Sequence, residues 1–92
     1  MIGTHVVVTT SHQGVFAGVL ESRDGDSVVL VSVQVCVYWS KQTRGVLGLA
    51  SIGPQPGSRV SPCAPRGEVL CVTSITQTTA SARKSWEAAP WQ

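Results

Sequence analysis

The sequence predicts a mainly β protein: a small bent antiparallel sheet or a small barrel of five or six strands, with a short helix and a C-terminal helix. Valine- and threonine-rich runs fill residues 5–39. Gln13-Gly14 and Asp24-Gly25-Asp26 separate these runs as turn residues separate antiparallel strands. Near the other end the apolar spacing becomes helical. We expect the 92 residues to form a single domain, residues 1–92.

Four strands are predicted in the first half of the chain, over His5–Thr10, Val15–Arg23, Ser27–Val33 and Val35–Trp39. Gly18 interrupts the second strand at its centre, where glycine is typical of a bulge or of the sharp bend of a small barrel. Such a bend would let one long strand serve both halves of a barrel.

The pattern changes to a helical one over Ser40–Pro54. Apolar residues recur at helix-compatible spacing, at Val46, Leu47, Leu49 and Ala50. Gly53-Pro54 then ends the run. This predicts one or two helical turns near residues 43–52, capped near Ser40 or Thr43.

Two loops and two strands are predicted next: a loop over residues 53–57, a short strand over Ser58–Ser61, a loop over Pro62–Gly67 and a last strand over Val69–Thr76. A terminal helix is predicted near residues 79–89, with Thr78 or Thr79 as its N-cap. Its apolar stripe consists of Ala82, Trp86 and Ala89.

The composition favours self-association. Charged residues make up only 13% of the chain, against about 25% in typical globular proteins, and 42% of the residues are hydrophobic. We expect a homo-oligomer, a dimer or a small ring, with Trp86 and Trp91 at or near an interface. The alternative is a monomer with a surface rich in serine, threonine and glycine.

Charge and cysteine usage exclude or disfavour several classes of partner and site. A net charge of +2 without a basic cluster disfavours nucleic acid as a partner. Three cysteines without C-x-x-C spacing exclude a closed disulfide framework and disfavour a zinc site. Cys36 and Cys71 are expected to be buried in strands as small hydrophobic residues. With no signal-peptide pattern and no long apolar run, we expect a cytosolic protein without a membrane span.

The N-terminal third resembles the first motif of Sm-like and SH3-like small barrels. Phe16-Ala17-Gly18-Val19-Leu20 through Asp24 occupies the matching positions. The nearest match to the second Sm motif is Arg66-Gly67, which follows a longer, proline-rich loop. The resemblance implies an SH3/Sm-like barrel and, as one possible function, nucleic-acid binding.

Over its whole length the chain looks like a family of small uncharacterised bacteriophage and prophage proteins. The matching features are the opening valine strand, F-A-G-V-L-E-S-R-D-G, an aromatic pair before a short helix and the closing P-W. This resemblance implies a protein that acts in the cytoplasm of an infected bacterial host. In size and style the chain is also similar to phage anti-defence sponges, which sequester nucleotide immune signals without cleaving them.

No enzyme is expected from the titratable residues. The two histidines and five acidic residues are isolated in the sequence. Asp24 and Asp26 flank a turn glycine, where an aspartate side chain typically forms a hydrogen bond to the backbone. Ser11 and His12 are adjacent, so in a strand their side chains would point to opposite faces. We expect no catalytic residue, no metal ligand and no cofactor.

One cluster suggests ligand binding, the segment from Tyr38 to Arg44. Aromatic side chains stack on a base, and helix N–H groups with Lys and Arg hold phosphate. The candidate ligand-binding residues are Tyr38, Trp39, Lys41, Thr43, Arg44 and Arg59, with Trp39 as the stacking surface and Arg44 as the phosphate contact. The structural alternative is that Trp39 caps the core and the polar residues only begin the helix.

Two function classes follow. The first is a non-enzymatic phage protein that binds a small nucleotide, a cyclic nucleotide or a cyclic ADP-ribose-type ligand, and so sequesters a host immune second messenger. The second is a structural or interaction protein, either a virion or assembly component or an Sm-like nucleic-acid binder.

Overall fold

The computed structural model describes residues 1–11, 14–39 and 41–88. Its elements in chain order are β1 (His5–Thr10), β2 (Val15–Asp24), β3 (Ser27–Tyr38), a 3-10 helix (Lys41–Thr43), α1 (Gly45–Ser51), β4 (Arg59–Val60), β5 (Ala64–Val69), β6 (Val72–Gln77) and α2 (Ala80–Ala88). Within these residues, no helix has the length and apolar character needed to cross a membrane.

The six strands form one antiparallel sheet in the order β4-β3-β2-β1-β6, and β5 also pairs with β3. β4 pairs with the C-terminal part of β3 and β5 with its N-terminal part, so both lie along the edge of β3 that β2 leaves open. Among the described residues no ladder joins β5 to β6, and the sheet stays open. The predicted mainly β fold with two helices is therefore confirmed in its bent-sheet form, and the closed barrel is not observed.

Gly18 marks a bulge, as predicted. Ala17 pairs with Gln34 but Val19 pairs with Val31, so β3 has one residue more than β2 at this point. A Cβ at Gly18 would lie 2.9 Å from the carbonyl oxygen of Val31, and only glycine fits without a shift of the backbone. On the opposing strand Ser32 has a φ of 54°. The bulge therefore interrupts the regular pairing of β3 with β2 without ending the strand.

The predicted separation of the third and fourth strands is accordingly wrong, because β3 runs continuously from Ser27 to Tyr38. The polar Gln34, which looked like an interruption, is buried inside this strand. Its amide Nε2 donates to the carbonyl oxygens of Ser61 and Trp86, each at 3.0 Å. A polar side chain is stable in the core when its hydrogen bonds are satisfied in this way.

Two predictions in the second half are corrected. The predicted loop Pro62–Gly67 is largely strand, because β5 lies at the edge of the sheet, where a proline is tolerated. The predicted strand Val69–Thr76 is divided at Leu70-Cys71, where Cys71 adopts a φ of 57°. Cys71 is exposed and not buried as expected, whereas Cys36 is buried as expected.

The two faces of the sheet cover separate apolar clusters. The first cluster lies between the sheet and the helices and contains Val7, Val15, Ala17, Cys36, Leu49, Ala50, Val60 and Trp86. The second lies on the other face and contains Val6, Val8, Leu20, Val28, Leu30 and Val69. Because successive strand residues alternate between faces, β1 contributes to both clusters, which explains its unbroken run of valine.

The helix boundaries agree with the sequence at α2 and differ at α1. Thr79 caps α2, since its Oγ1 accepts the Ala82 N–H at 3.0 Å. The N-cap of α1 is Arg44, in a left-handed conformation with a φ of 66° and without a side-chain cap. Thr43 is therefore not the cap, and the other predicted cap, Ser40, lies outside the described residues.

Trp86 is fully buried within its own chain, as is Ala82. Trp86 thus holds α2 on the sheet and does not offer its ring to a neighbouring subunit. Ala89, the third residue of the predicted apolar stripe, lies outside the described residues. So does Trp91, the other tryptophan expected at an interface.

Candidate ligand-binding site

Tyr38 and Arg59 are direct cross-strand partners at the end of β3 and on β4. An irregularity in the register lies between Cys36 and Tyr38, so this pair ends the ladder. Tyr38 is 58% exposed, and Arg59 is also exposed. The sheet register therefore brings an exposed aromatic residue and an exposed arginine that are 21 positions apart in the sequence next to each other along the backbone.

Trp39 is only partly exposed and packs against the first core cluster. Of the two adjacent aromatic residues, Tyr38 has the larger exposed fraction, and Trp39 packs on the side of the core. The structure thus favours for Trp39 the core-capping alternative of the sequence analysis.

Thr43 has no exposed surface, so its side chain cannot touch a ligand directly. Its Oγ1 accepts the Gln55 N–H at 3.1 Å and lies 3.3 Å from the Ser58 hydroxyl. These contacts attach residues 55–58, which lie in the loop before β4, to the 3-10 helix. Thr43 therefore positions the two segments that carry Lys41 and Arg59.

Lys41 and Arg44 are exposed on either side of Thr43. Arg44 lines a surface depression of about 630 Å³ together with Gln42, Leu47, Gly48, Ser51 and Ile52. A Cβ at Gly48 would overlap the Thr43 carbonyl oxygen. Glycine at this position therefore allows α1 to fold closely onto the 3-10 helix.

The segment that carries these cations contains no acidic residue of its own. Residues 27–67 contain no aspartate or glutamate, and four basic residues lie among them: Lys41, Arg44, Arg59 and Arg66. Of these, Arg66 forms an ion pair with Glu21 at 2.8 Å. Lys41, Arg44 and Arg59 are the basic residues nearest to Tyr38 in the sequence and sheet register. The arrangement is suited to an anion that carries a planar ring.

Two further reactive side chains, Cys36 and His5, lie elsewhere in the structure. Burial raises the pKa of the Cys36 thiol to about 11, so this thiol is protonated near neutral pH and is a poor nucleophile. Burial and the nearby Arg83 lower the pKa of His5, against a smaller opposing effect of Glu87. In the described part of the chain no three His, Cys, Asp or Glu side chains are grouped so that they could hold a metal ion.

The sequence missed two features of the surface. Leu47 was counted with the apolar face of α1, but it is 70% exposed beside Arg44. A second depression, of about 500 Å³, is lined by Met1, Ile2, Leu20, Arg23, Val72, Thr73, Ser74 and Ile75. Both depend on how distant segments pack, and no local pattern indicates them.

Comparison with known proteins gives one match. Residues 3–86 match the family described as a domain of unknown function, DUF6948. The chain belongs to the DUF6948 family. The match covers every strand of the sheet, α1 and α2 as far as Trp86, so the fold described above is that of a DUF6948 domain. It supports neither the expected phage family nor an Sm-like family. No curated protein and no solved structure matches the chain.

Proposed function

We propose that this DUF6948 domain is a non-enzymatic binding module that holds a small nucleotide on the surface formed by Tyr38, Lys41, Arg44 and Arg59. The observation that carries the proposal is the cross-strand pairing of the exposed Tyr38 with Arg59, within a segment without acidic residues. This pairing supplies an aromatic face and a phosphate-binding group at one place.

The chemistry of these side chains fits the two parts of a nucleotide. The Tyr38 ring can stack on a base, a contact worth about 1–3 kcal/mol. A guanidinium group such as that of Arg59 or Arg44 can bind a phosphate through two N–H groups, and Lys41 adds a point charge. Trp39 and Thr43 support these groups from the core side, through packing and through the Gln55 contact.

A ligand held here is expected to leave unchanged. Residues 27–67 contain no aspartate, glutamate or histidine that could act as a general base. Binding without turnover is the property required of a protein that sequesters a signal. With the resemblance to phage proteins, we infer an anti-defence sponge that removes a host immune second messenger in the cytoplasm of the infected bacterium. A cyclic nucleotide or a cyclic ADP-ribose isomer is the expected ligand.

A thermal-shift screen of cyclic dinucleotides, cyclic trinucleotides and cyclic ADP-ribose isomers tests the proposal. A ligand at 100 times its Kd stabilises the folded state by about 2.7 kcal/mol. For a domain of this size each kcal/mol raises Tm by roughly 4–8 °C. The bound nucleotide should be recovered chemically intact after heat denaturation. If none of these compounds raises Tm, nucleotide binding is rejected.

Variants locate the site. Tyr38→Ala and Arg59→Ala should each weaken the nucleotide about tenfold or more, whereas Tyr38→Phe should retain most of the affinity because the ring is kept. Lys84→Ala is the matched control, since it removes an exposed cation from α2 and leaves the proposed surface intact. Full affinity in both Tyr38→Ala and Arg59→Ala would place the site elsewhere.

The second candidate is a structural or interaction protein, and the exposure of Leu47 on α1 favours it. A large exposed aliphatic side chain beside Arg44 suits a protein surface as well as a small ligand. Such a protein would be indifferent to nucleotides and would copurify with virus particles. An Sm-like nucleic-acid binder would instead show salt-dependent binding of RNA oligonucleotides.

A further inference from the structure

The two edges of the sheet differ in their protection against further strand pairing. One edge is formed by β4, which has only two residues, and by β5, which contains Pro65, Arg66 and Glu68. Short strands, prolines and charges at an edge are the features that prevent another strand from adding to it. This edge is therefore closed to simple extension.

The opposite edge is β6, which has none of these features. Its sequence Val-Thr-Ser-Ile-Thr-Gln contains no charge and no proline over six residues. One side of β6 pairs with β1, and in the described part of the chain no strand pairs with its other side. The Val72 N–H already donates to the Asp26 carbonyl oxygen at 2.8 Å. An antiparallel strand presents N–H and C=O groups on both sides, so the rest of β6 offers a template for one more strand.

An apolar surface continues from this edge. The depression of about 500 Å³ has the buried Leu20 at its base and Val72 and Ile75 of β6 along one side. Met1 and Ile2 line the same depression and are 60% and 63% exposed. Large apolar side chains gathered at an unpaired strand are typical of a surface that a partner covers.

We propose that a second copy of this chain occupies the edge, with β6 pairing antiparallel to the β6 of its partner about a two-fold axis. The absence of charge on β6 favours this occupant, because two copies of the strand bring no like charges into the new ladder. Arg23, which lines the depression, lies on β2 and outside that ladder. Pairing of β6 with a neighbour's β5 would instead place Pro65, which lacks an N–H, in the ladder. A two-fold pairing also closes on itself, so assembly stops at a dimer.

An axis that passes through Ile75 opposes Ser74 to Thr76 and Thr73 to Gln77, and it keeps Ile75 on the side of the apolar depression. The chain has 5169 Å² of accessible surface, and a standard interface covers about 800 Å² of each partner. Burial of the Met1 and Ile2 side chains beside the new ladder contributes to that area.

Light scattering and sedimentation equilibrium of the full chain test the proposal. The expected mass is twice the 9.7 kDa of one chain. The double variant Thr73→Lys/Gln77→Lys puts lysines at two exposed positions of β6, and like charges across the two-fold axis should weaken the dimer at least tenfold. Ser81→Lys, which adds a charge at an exposed position of α2, should remain a dimer. Circular dichroism of each variant shows that the fold is retained.

Hydrogen exchange gives a second, independent measurement. The β6 amides of the unmodified chain should become more protected as the protein concentration rises, because dimerisation supplies new acceptors. A monomer at high-micromolar concentration overturns the proposal, and so does a dimer with the same affinity in the lysine double variant. A larger ring that is disrupted by Glu68→Lys would assign the interface to β5 instead.

Discussion

The indole Nε1 of Trp86 donates a hydrogen bond to the carbonyl oxygen of Leu49 across 2.9 Å. Both residues are fully buried, and they join α2 to α1. The carbonyl oxygen of Trp86 also accepts the amide Nε2 of Gln34 at 3.0 Å, which joins α2 to the sheet. One aromatic residue thus joins α2 both to α1 and to the sheet.

Trp86→Phe should destabilise the domain. The variant leaves the Leu49 carbonyl without its donor and removes part of a buried ring, at a cost of about 2–4 kcal/mol. Urea denaturation should show a lower midpoint with an unchanged slope. Ser81→Ala, at an exposed position of the same helix, is the control and should lie within about 0.5 kcal/mol of the unmodified chain. Equal midpoints for the Trp86 variant and the control would contradict the structure.

Gly48→Ala should be among the most damaging single substitutions. The new methyl group would overlap the Thr43 carbonyl oxygen, which is backbone and cannot move without separating the 3-10 helix from α1. We expect a loss of more than about 3 kcal/mol, measured by thermal unfolding. Ser51→Ala in the same helix removes only an exposed hydroxyl, so its Tm should change little. A Gly48→Ala protein with an unchanged Tm would show that this close approach does not exist.

His5 should make stability depend on pH. Its Nδ1 lies 2.7 Å from Thr78 Oγ1, and the Thr78 hydroxyl donates to the His5 carbonyl oxygen at 2.9 Å. The hydroxyl proton is used there, so Nδ1–H must be the donor to Thr78. Burial first, and then Arg83, lower the pKa of His5 in the folded state, while Glu87 opposes them.

The unfolded chain therefore binds the His5 proton more readily than the folded chain does. The stabilisation is complete above the ordinary pKa near 6.5 and is lost as the pH falls through the lowered folded pKa. The free energy of unfolding should thus be smaller at pH 5 than at pH 7.5. In His5→Gln this difference should shrink. The same pH dependence in both proteins would show that other groups cause it.

Arg44→Ala and Thr43→Ala should separate binding from folding. Arg44 is exposed, so its loss should cost under about 0.5 kcal/mol of stability while weakening a bound nucleotide. Thr43 is buried, and its loss leaves the Gln55 N–H without an acceptor, at about 1–3 kcal/mol. Tm and ligand affinity are measured on both variants. Arg44→Ala should lower the affinity more than Thr43→Ala does, and Thr43→Ala should lower Tm more than Arg44→Ala does. An Arg44→Ala protein with unchanged affinity would remove Arg44 from the proposed surface.

Local patterns predicted those elements whose signals are local. β1 has the predicted bounds, the Gly18 bulge lies at the predicted position, and Thr79 caps α2. β5 was missed because Pro65 indicates a loop unless the strand is known to lie at an edge. β3 was divided because the two acceptors of Gln34 come from residues 27 and 52 positions further along the chain.

The candidate site was less accessible to sequence reasoning, for the same reason. The residue types were identified, but the pairing of Tyr38 with Arg59 depends on the register between β3 and β4, which no local spacing specifies. Thr43 was expected near a ligand, whereas its burial follows from a loop that begins ten positions later. Tertiary contacts, and not propensity, decide which polar side chains stay at the surface.

The position of β1 between β2 and β6 has a consequence for synthesis of the chain. Of the six strands β1 is synthesised first, but one of its two neighbours, β6, is synthesised last, since Val6 pairs with Gln77. Contacts that span most of the chain slow folding, because the entropy of closing a long loop must be overcome before they form. The nascent domain therefore exposes one side of a strand of valines until β6 has been synthesised. In that interval it depends most on dilution and on chaperones.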